Sequence, residues 1–132
     1  MTRLTIRIDF DDGTALGPGK VRLLELVAAT GSIRKAAAGM KMSYRRAWLL
    51  LKALDDMFAE PLATTATGGK KGGGARLTSL GRSVVARYRA VERRAAGVAM
   101  RDLKFLVTAL SSSKKRSPPA TKKQRKRQKK PA

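Results

Sequence analysis

The alternation of apolar and polar residues at the start of the chain predicts a short strand. In the sequence LTIRIDF, Leu4, Ile6, Ile8 and Phe10 share one face, and the residues between them are polar. This period of two is typical of a half-buried strand. The Asp-Asp-Gly sequence at 11–13 predicts the turn that ends it.

The next residues have helical periodicity and predict three helices in a row. The first, KVRLLELVAAT, carries Val21, Leu24, Val27 and Ala28 at helical spacing and ends at Gly31, a suitable C-cap residue. Ser32 can cap a second, short helix, IRKAAAG. A second helix that is joined by a tight turn to a third helix indicates a helix-turn-helix.

The turn between the second and third helices follows the usual pattern of that motif. Met40 and Met42 flank it as apolar anchors, and Ser43 caps a third helix from Tyr44 to about Phe58. Ala37 and Ala47 are small enough for the two helices to cross closely. Lys41 occupies a position that is often glycine, and a positive φ there would cost a lysine about 1 kcal/mol.

The third helix has two different faces on a helical wheel. The apolar side consists of Ala47, Leu50, Leu51, Leu54 and Phe58, and the opposite side of Arg45, Leu49, Lys52 and Asp56. The outward side is basic at its N-terminal half and acidic at Asp55 and Asp56, which suits insertion of the N-terminal end into a DNA major groove. The alternative is a solvated face with ordinary charges. We expect Trp48, on the border, to pack rather than to stack on a base.

A hairpin with a long glycine-rich tip is predicted over about residues 62–78. PLATTAT and ARLT are β-prone, and GGKKGGG separates them. Glycines let the backbone approach a phosphate closely, and Lys70, Lys71 and Arg76 supply positive charge. A hairpin directly after a helix-turn-helix indicates the wing of a winged helix; the alternative is a loop without a partner.

A long helix is predicted to follow the wing, starting at Thr78 or Ser79 and ending near residue 110. An apolar stripe recurs along it, consisting of Leu80, Val84, Tyr88, Val91, Leu103, Leu106 and Leu110. A stripe of this length predicts pairing with a second copy of the chain. The alternative is packing on its own domain alone, and we expect Gly97 to bend the helix.

Composition indicates a polyanionic partner. The 132 residues include 30 Lys and Arg against 9 Asp and Glu, a formal net charge of +21. Such an excess is typical of nucleic-acid-binding proteins. The chain has no cysteine and no histidine, which excludes disulfides and removes the commonest general base and metal ligands. We therefore expect neither an enzyme nor a metal or other cofactor.

The positive charge rises towards the C-terminus. Residues 114–132 contain ten basic residues, no acidic ones and no large apolar ones. Such a sequence cannot bury enough surface to fold, so we expect residues 111–132 to be a disordered basic tail. No apolar run is long enough for a membrane span or a signal peptide, so we expect a cytoplasmic protein on the nucleoid.

Three segments resemble those of a known family: ATGSI at 29–33, SYRRAW at 43–48 and ATGGKKGGGA at 66–75. They are similar to the N-terminal DNA-binding domain of ModE, the molybdate-responsive bacterial regulators, whose winged helix-turn-helix is related to that of LysR-type regulators. The resemblance covers about residues 4–95. The resemblance implies a dimeric, sequence-specific DNA-binding domain. ModE proteins continue into a molybdate-binding region, whereas this sequence continues into the basic tail, so we do not expect it to bind molybdate.

The resemblance also implies positions for the DNA contacts. It places Ser43, Tyr44, Arg45 and Arg46 at the start of the recognition helix, and Lys70 and Lys71 in the wing. Together with the basic and capping residues named from the pattern, the predicted DNA-binding residues are Ser32, Arg34, Ser43, Tyr44, Arg45, Arg46, Lys52, Lys70, Lys71 and Arg76.

The predicted architecture is mainly α with a small β-hairpin wing. It divides into a winged helix-turn-helix at 1–78, a long dimerisation helix at 79–110 and a tail at 111–132. The function that this predicts is a transcriptional regulator that binds specific double-stranded DNA as a homodimer. The alternative is an architectural nucleoid protein with a histone-like tail.

Overall fold

The computed structural model describes residues 2–66 and 74–110 of the chain. Residues Arg3–Ala96 form one compact unit, the winged domain. The elements are β1 (Ile8–Asp9), β2 (Ala15–Leu16), α1 (Pro18–Thr30), α2 (Ile33–Gly39), α3 (Tyr44–Met57), β3 (Ala63–Thr65), β4 (Ala75–Leu77), α4 (Ser79–Val98) and α5 (Met100–Ala109). The predicted mainly α fold with a hairpin wing is confirmed. The wing tip and the predicted tail lie outside the described residues.

The N-terminal strand is shorter than the alternating pattern predicted. Only Ile8 and Asp9 form ladder pairs, with Leu16 and Ala15 of an antiparallel strand that the pattern did not predict. The predicted turn is present between them. The Asp12 carboxylate accepts a hydrogen bond from the Thr14 backbone N–H at 2.9 Å, and Gly13 has φ 93°.

Side-chain and backbone caps define the first three helices as the sequence predicted. Gly31 has φ 71°, and its N–H donates to the carbonyl of Val27 at 2.8 Å, which ends α1. Ser32 Oγ accepts from the Lys35 N–H, and Ser43 Oγ accepts from the Arg46 N–H, each at 3.0 Å. These bonds satisfy backbone donors that the first turn of a helix leaves without partners.

The turn of the helix-turn-helix has the predicted conformation. Lys41 has φ 55°, the only positive φ of a non-glycine residue in the described part of the chain. Met40 and Met42 are half-buried and pack against the core on either side of it. Ala37 and Ala47 are buried at the crossing, where a larger side chain would force α2 and α3 apart.

The wing is joined to the helical core at its base. β3 and β4 are antiparallel, with Ala63 opposite Leu77 and Thr65 opposite Ala75. The Ala75 N–H donates to the carbonyl of Gly31 at 2.9 Å, so the end of α1 holds the second strand of the wing. Leu62 and Leu77 are buried in the core.

The helix α4 packs on the winged domain through its first half. Thr78 Oγ1 accepts from the Gly81 N–H at 2.9 Å and donates to the carbonyl of Pro61 at 2.8 Å. A Cβ added at Gly81 would overlap the carbonyl oxygen of Leu62 and lie 3.0 Å from its carbonyl carbon. Glycine is therefore required for the close approach of α4 to the segment before β3.

A tyrosine and an arginine hold α4 to the rest of the winged domain. The Tyr88 hydroxyl donates to the carbonyl of Ile6 at 2.6 Å, and the residue is only 2% exposed. Arg89 donates two hydrogen bonds to the Glu25 carboxylate of α1, each at 2.9 Å, and a third to Glu92 at 2.7 Å. The hydrogen bond from Arg89 holds the pKa of the Glu25 carboxyl below its ordinary value.

The long helix predicted over 79–110 is divided into two helices. α4 ends at Val98, Ala99 has φ −87° and ψ 0°, and α5 begins at Met100. The predicted domain boundary at residue 78 falls inside the winged domain, which extends to Ala96. The interruption lies two residues after Gly97, close to where the sequence predicted a bend.

Candidate nucleic-acid interface

Every charged residue of the segment from Gly31 to Leu54 is basic. It contains no acidic residue and six basic ones, Arg34, Lys35, Lys41, Arg45, Arg46 and Lys52, all of which are exposed. We call these six residues the basic face. They lie on α2, on the turn and on α3, so the helix-turn-helix presents cations from all three of its parts.

No residue of the basic face forms an ion pair in the described part of the chain. The four ion pairs found there use Arg7, Arg22 and Arg89 as the cations, and all three lie outside this segment. Cations without an acidic neighbour create a positive potential that attracts a polyanion. The charges of the basic face are therefore available to an external partner.

The two capping serines contribute to the same surface. Ser43 is exposed and Ser32 is half-buried, and each Oγ accepts one backbone hydrogen bond at the start of its helix. A hydroxyl can accept and donate at the same time, so each keeps its hydrogen for an outside acceptor. The α3 macrodipole adds partial positive charge at Ser43, where phosphate oxygens are favoured.

Two cation–π contacts order side chains at the predicted recognition surface. The Arg34 guanidinium of α2 lies 5.0 Å from the centre of the Tyr44 ring of α3. The Lys52 ammonium lies 5.8 Å from the Trp48 ring, within the range of a cation–π attraction. Trp48 is 42% exposed and lies on the solvent side of α3.

The predicted polarity of α3 is present, although one acidic residue has a structural role. Arg45, Leu49, Lys52 and Asp56 are exposed on the outward side. The Asp55 carboxylate instead accepts from the Leu62 backbone N–H at 2.9 Å. Periodicity could not reveal this bond, because it depends on the path of the chain after α3.

The wing contributes one described basic residue. Arg76 is exposed on β4, opposite Thr64. Lys70 and Lys71, the other predicted wing contacts, lie outside the described residues. The described part of the predicted site is thus one exposed residue of the wing together with the helix-turn-helix.

The first half of the predicted dimerisation stripe packs partly on its own domain. Tyr88 is buried, and Leu80 and Val84 pack against the core, because the first half of α4 covers the winged domain. Burial removes Tyr88 from the predicted seam between two copies, whereas Leu80 and Val84 also line an open apolar groove. Of the remaining residues of the stripe, Val91, Leu106 and Leu110 are exposed and Leu103 is half-buried.

Metal sites and membrane-spanning helices were also sought among the described residues. Within 2–66 and 74–110, no cluster of three or more acidic side chains could hold a metal ion. Over the same ranges, every helix is too short or too polar to cross a bilayer.

Curated relatives match the chain in sequence. It is 44% identical over 85 residues to the molybdenum transport protein ModE of Azotobacter vinelandii, covering 64% of this chain and 32% of the relative. It is 44% identical over 87 residues to the molybdenum-pterin-binding protein MopB of Rhodobacter capsulatus, covering 66% and 31%. The transcriptional regulator ModE of Haemophilus influenzae is 36% identical over 92 residues, covering 70% and 36%. No protein-family model matches the chain.

The matches to ModE proteins agree with the helix-turn-helix and wing described above. The winged domain of this chain is of the ModE type. The chain spans about a third of the length of the curated relatives it matches.

The ModE-type domain also has a neighbour among solved structures. A chain in the crystal structure of the CbnR DNA-binding domain with DNA matches with a TM-score of 0.52 at 18% identity. The match covers 67% of this chain and 95% of the other. At this identity the match supports the fold alone, a winged helix-turn-helix.

Proposed function

We propose that this protein is a transcriptional regulator that binds specific sequences of double-stranded DNA. The observation that carries the proposal is the basic face. Its six exposed cations lie on the helix-turn-helix, and none of them forms an ion pair within the described residues. The ModE relatives support a regulatory role, since one of them is named a transcriptional regulator. An ordinary solvated surface would combine both signs of charge, as the Arg89 region does.

The proposed contacts divide into two classes by their position on the motif. Ser43 and Tyr44, at the start of α3, and Ser32, at the start of α2, are proposed to bind phosphates and fix the orientation of the domain. Arg45 and Arg46 are proposed to reach base edges in the major groove, because they lie in the first turn of α3. Arg34 and Lys52 are proposed to flank them.

We extend the proposal to the wing and to the tail on grounds of charge. Arg76, Lys70 and Lys71 of the wing are proposed to contact the backbone next to the groove that α3 enters. The ten basic residues at 114–132 are proposed to add affinity that does not depend on sequence, because each neutralised phosphate releases counterions.

Selection of bound duplexes from random DNA tests the proposal. A regulator with an ordered recognition helix is expected to enrich one consensus, and a dimer is expected to enrich an inverted repeat with half-sites about one helical turn apart. Enrichment of no consensus at about 0.2 M salt, where nonspecific contacts are weakened, would contradict sequence-specific regulation.

We further propose that the protein acts as a homodimer. Val91, with Leu80 and Val84, lines an open apolar groove of the winged domain, and α5 exposes Phe105 and Leu106 at 70% and 57%. Sedimentation equilibrium at about 50 µM is expected to give a dimer, and Leu106→Lys is expected to give a monomer whose winged domain stays folded. A wild-type chain that sediments as a monomer would contradict this arrangement.

A further inference from the structure

The outward side of α3 exposes Trp48 and Leu49 beside Tyr44, and phosphate binding requires neither of the two. Tyr44, Trp48 and Leu49 are 44%, 42% and 49% exposed. In the described part of the winged domain, the other large apolar residues with comparable exposure are Phe10 and Val91. Three of five such residues therefore lie within six positions of one helix, and we call these three the apolar patch. Exposed apolar groups that cluster in this way indicate a binding surface.

Positive charge lies within the apolar patch, because Lys52 and Arg45 fall between Trp48 and Leu49 around the α3 axis. At 100° per residue, Leu49 lies about 40° from Arg45 and about 60° from Lys52 around the α3 axis. The Lys52 ammonium also lies 5.8 Å from the centre of the Trp48 ring. A partner that covers this side of α3 must therefore offer acceptor or negatively charged groups to Arg45 and Lys52 and an apolar group to Trp48 or Leu49.

We propose that Trp48 and Leu49 contact the 5-methyl groups of thymines in the DNA major groove and so help to determine the recognised sequence. This inference rests on the proposed function. Among the base edges in the major groove, the thymine methyl is the one apolar group, and phosphates line the groove on both sides. An acidic protein partner would match the same charges, but binding to it would not depend on the thymine methyl that the experiment below removes.

Replacement of thymine by deoxyuridine tests the proposal, because it removes only the methyl group and leaves the hydrogen-bonding edge and the phosphates unchanged. Each thymine of a duplex enriched by selection is replaced in turn, and affinity is measured by fluorescence anisotropy. Wild-type protein is expected to lose about fourfold in affinity at one or two positions, the value for transfer of one methyl-sized group out of water.

Protein variants identify the side chains that contact the methyl groups. At one of the sensitive positions, Leu49→Ala is expected to bind the thymine duplex and the deoxyuridine duplex with equal affinity. The same is expected of Trp48→Ala. Leu49→Met, which keeps apolar volume, is expected to retain the difference. Arg46→Ala is the control, because it should weaken binding to both duplexes while the ratio between them stays the same.

The single tryptophan gives a second measurement on the wild-type protein. Fluorescence from Trp48 is expected to change on binding the thymine duplex, and to change less with the deoxyuridine duplex at the sensitive position. The change requires no label, and it reports directly on the environment of the proposed contact.

Failure of this inference can be distinguished from failure of the proposed function. If the protein selects a sequence but binds every deoxyuridine duplex as tightly as thymine, methyl recognition is wrong and DNA recognition stands. If Leu49→Ala and Trp48→Ala both keep the fourfold ratio, other residues contact the methyl groups and the proposal is overturned. If the protein does not bind DNA, the proposed function fails and this inference fails with it.

Discussion

Arg89 lies at the contact of α1 with α4, and Arg45 and Arg46 lie on the basic face. They have the same charge but different surroundings. Arg89 donates three hydrogen bonds to Glu25 and Glu92, and its guanidinium is only partly exposed. Arg45 and Arg46 are exposed and form no ion pair in the described residues. An arginine whose donors are satisfied within the chain stabilises the fold, whereas one without a partner can bind another molecule. The predictions below test this division.

The largest effect is expected from Gly81→Ala, in the region that holds the fold together. The added Cβ would overlap the carbonyl oxygen of Leu62, so α4 would have to move away from the segment before β3. We expect a loss of about 3 kcal/mol or more in the free energy of unfolding, measured by urea denaturation. Gly97→Ala is the control, since its Cβ would meet nothing within 4 Å, and it should be neutral or stabilising. Equal losses in both variants would contradict the account.

Arg45→Ala is expected to produce the largest effect in the other region. It should weaken binding to a selected duplex by about 1–3 kcal/mol, and binding to a random duplex of the same length by less. The free energy of unfolding should not change, because the side chain has no partner to lose. Anisotropy titrations at about 0.2 M salt measure both affinities. An equal loss on both duplexes would make Arg45 a phosphate contact.

Arg89→Met is expected to show the reverse pattern. It leaves the Glu25 and Glu92 carboxylates without their shared cation, and these groups are only 27% and 17% exposed. We expect the free energy of unfolding to fall by about 1–2 kcal/mol, with unchanged affinity for DNA per folded molecule. A large loss of affinity at a temperature where the variant is fully folded would place Arg89 in the interface and break the comparison.

A smaller effect is expected from pH. The hydrogen bond from Arg89 lowers the pKa of Glu25 in the folded state, so its contribution to stability is present above the unfolded pKa, about 4.3. That contribution should disappear as the pH falls through the lower, folded pKa. In Glu25→Gln, the unfolding free energy should therefore depend less steeply on pH below about 4.3. Some dependence should remain, since hydrogen bonds from Thr14 also lower the pKa of Asp12.

The helix-turn-helix was predictable from sequence because its determinants are local. Ser32, Ser43 and Gly31 act on backbone groups within four residues of themselves, so their presence at the ends of periodic segments is sufficient to place the helices. The positive φ of Lys41 followed from its place in the turn. The exposure of Arg45 and Lys52 on α3 followed from the helical wheel of that helix.

The features that sequence did not predict depend on contacts between distant segments. Arg89 and Glu25 are 64 positions apart, and Tyr88 is 82 positions from the carbonyl of Ile6 that accepts its hydrogen bond. Periodicity therefore assigned Tyr88 to a dimer seam, because an apolar stripe has the same spacing whether it faces another copy or its own domain. The ladder of β1 with β2 was missed for a similar reason, since two-residue strands have no period.

The most direct test of the central claim is a map of the DNA-contacting residues in solution. Full-length protein labelled with ¹⁵N is titrated with a selected duplex at about 0.2 M salt, and changes in the backbone amide shifts are recorded. We expect the largest shift changes in the winged domain from Ser32 to Lys52, with small changes at Glu25 and Arg89. Largest changes along α4, with Ser43 to Lys52 unaffected, would contradict it.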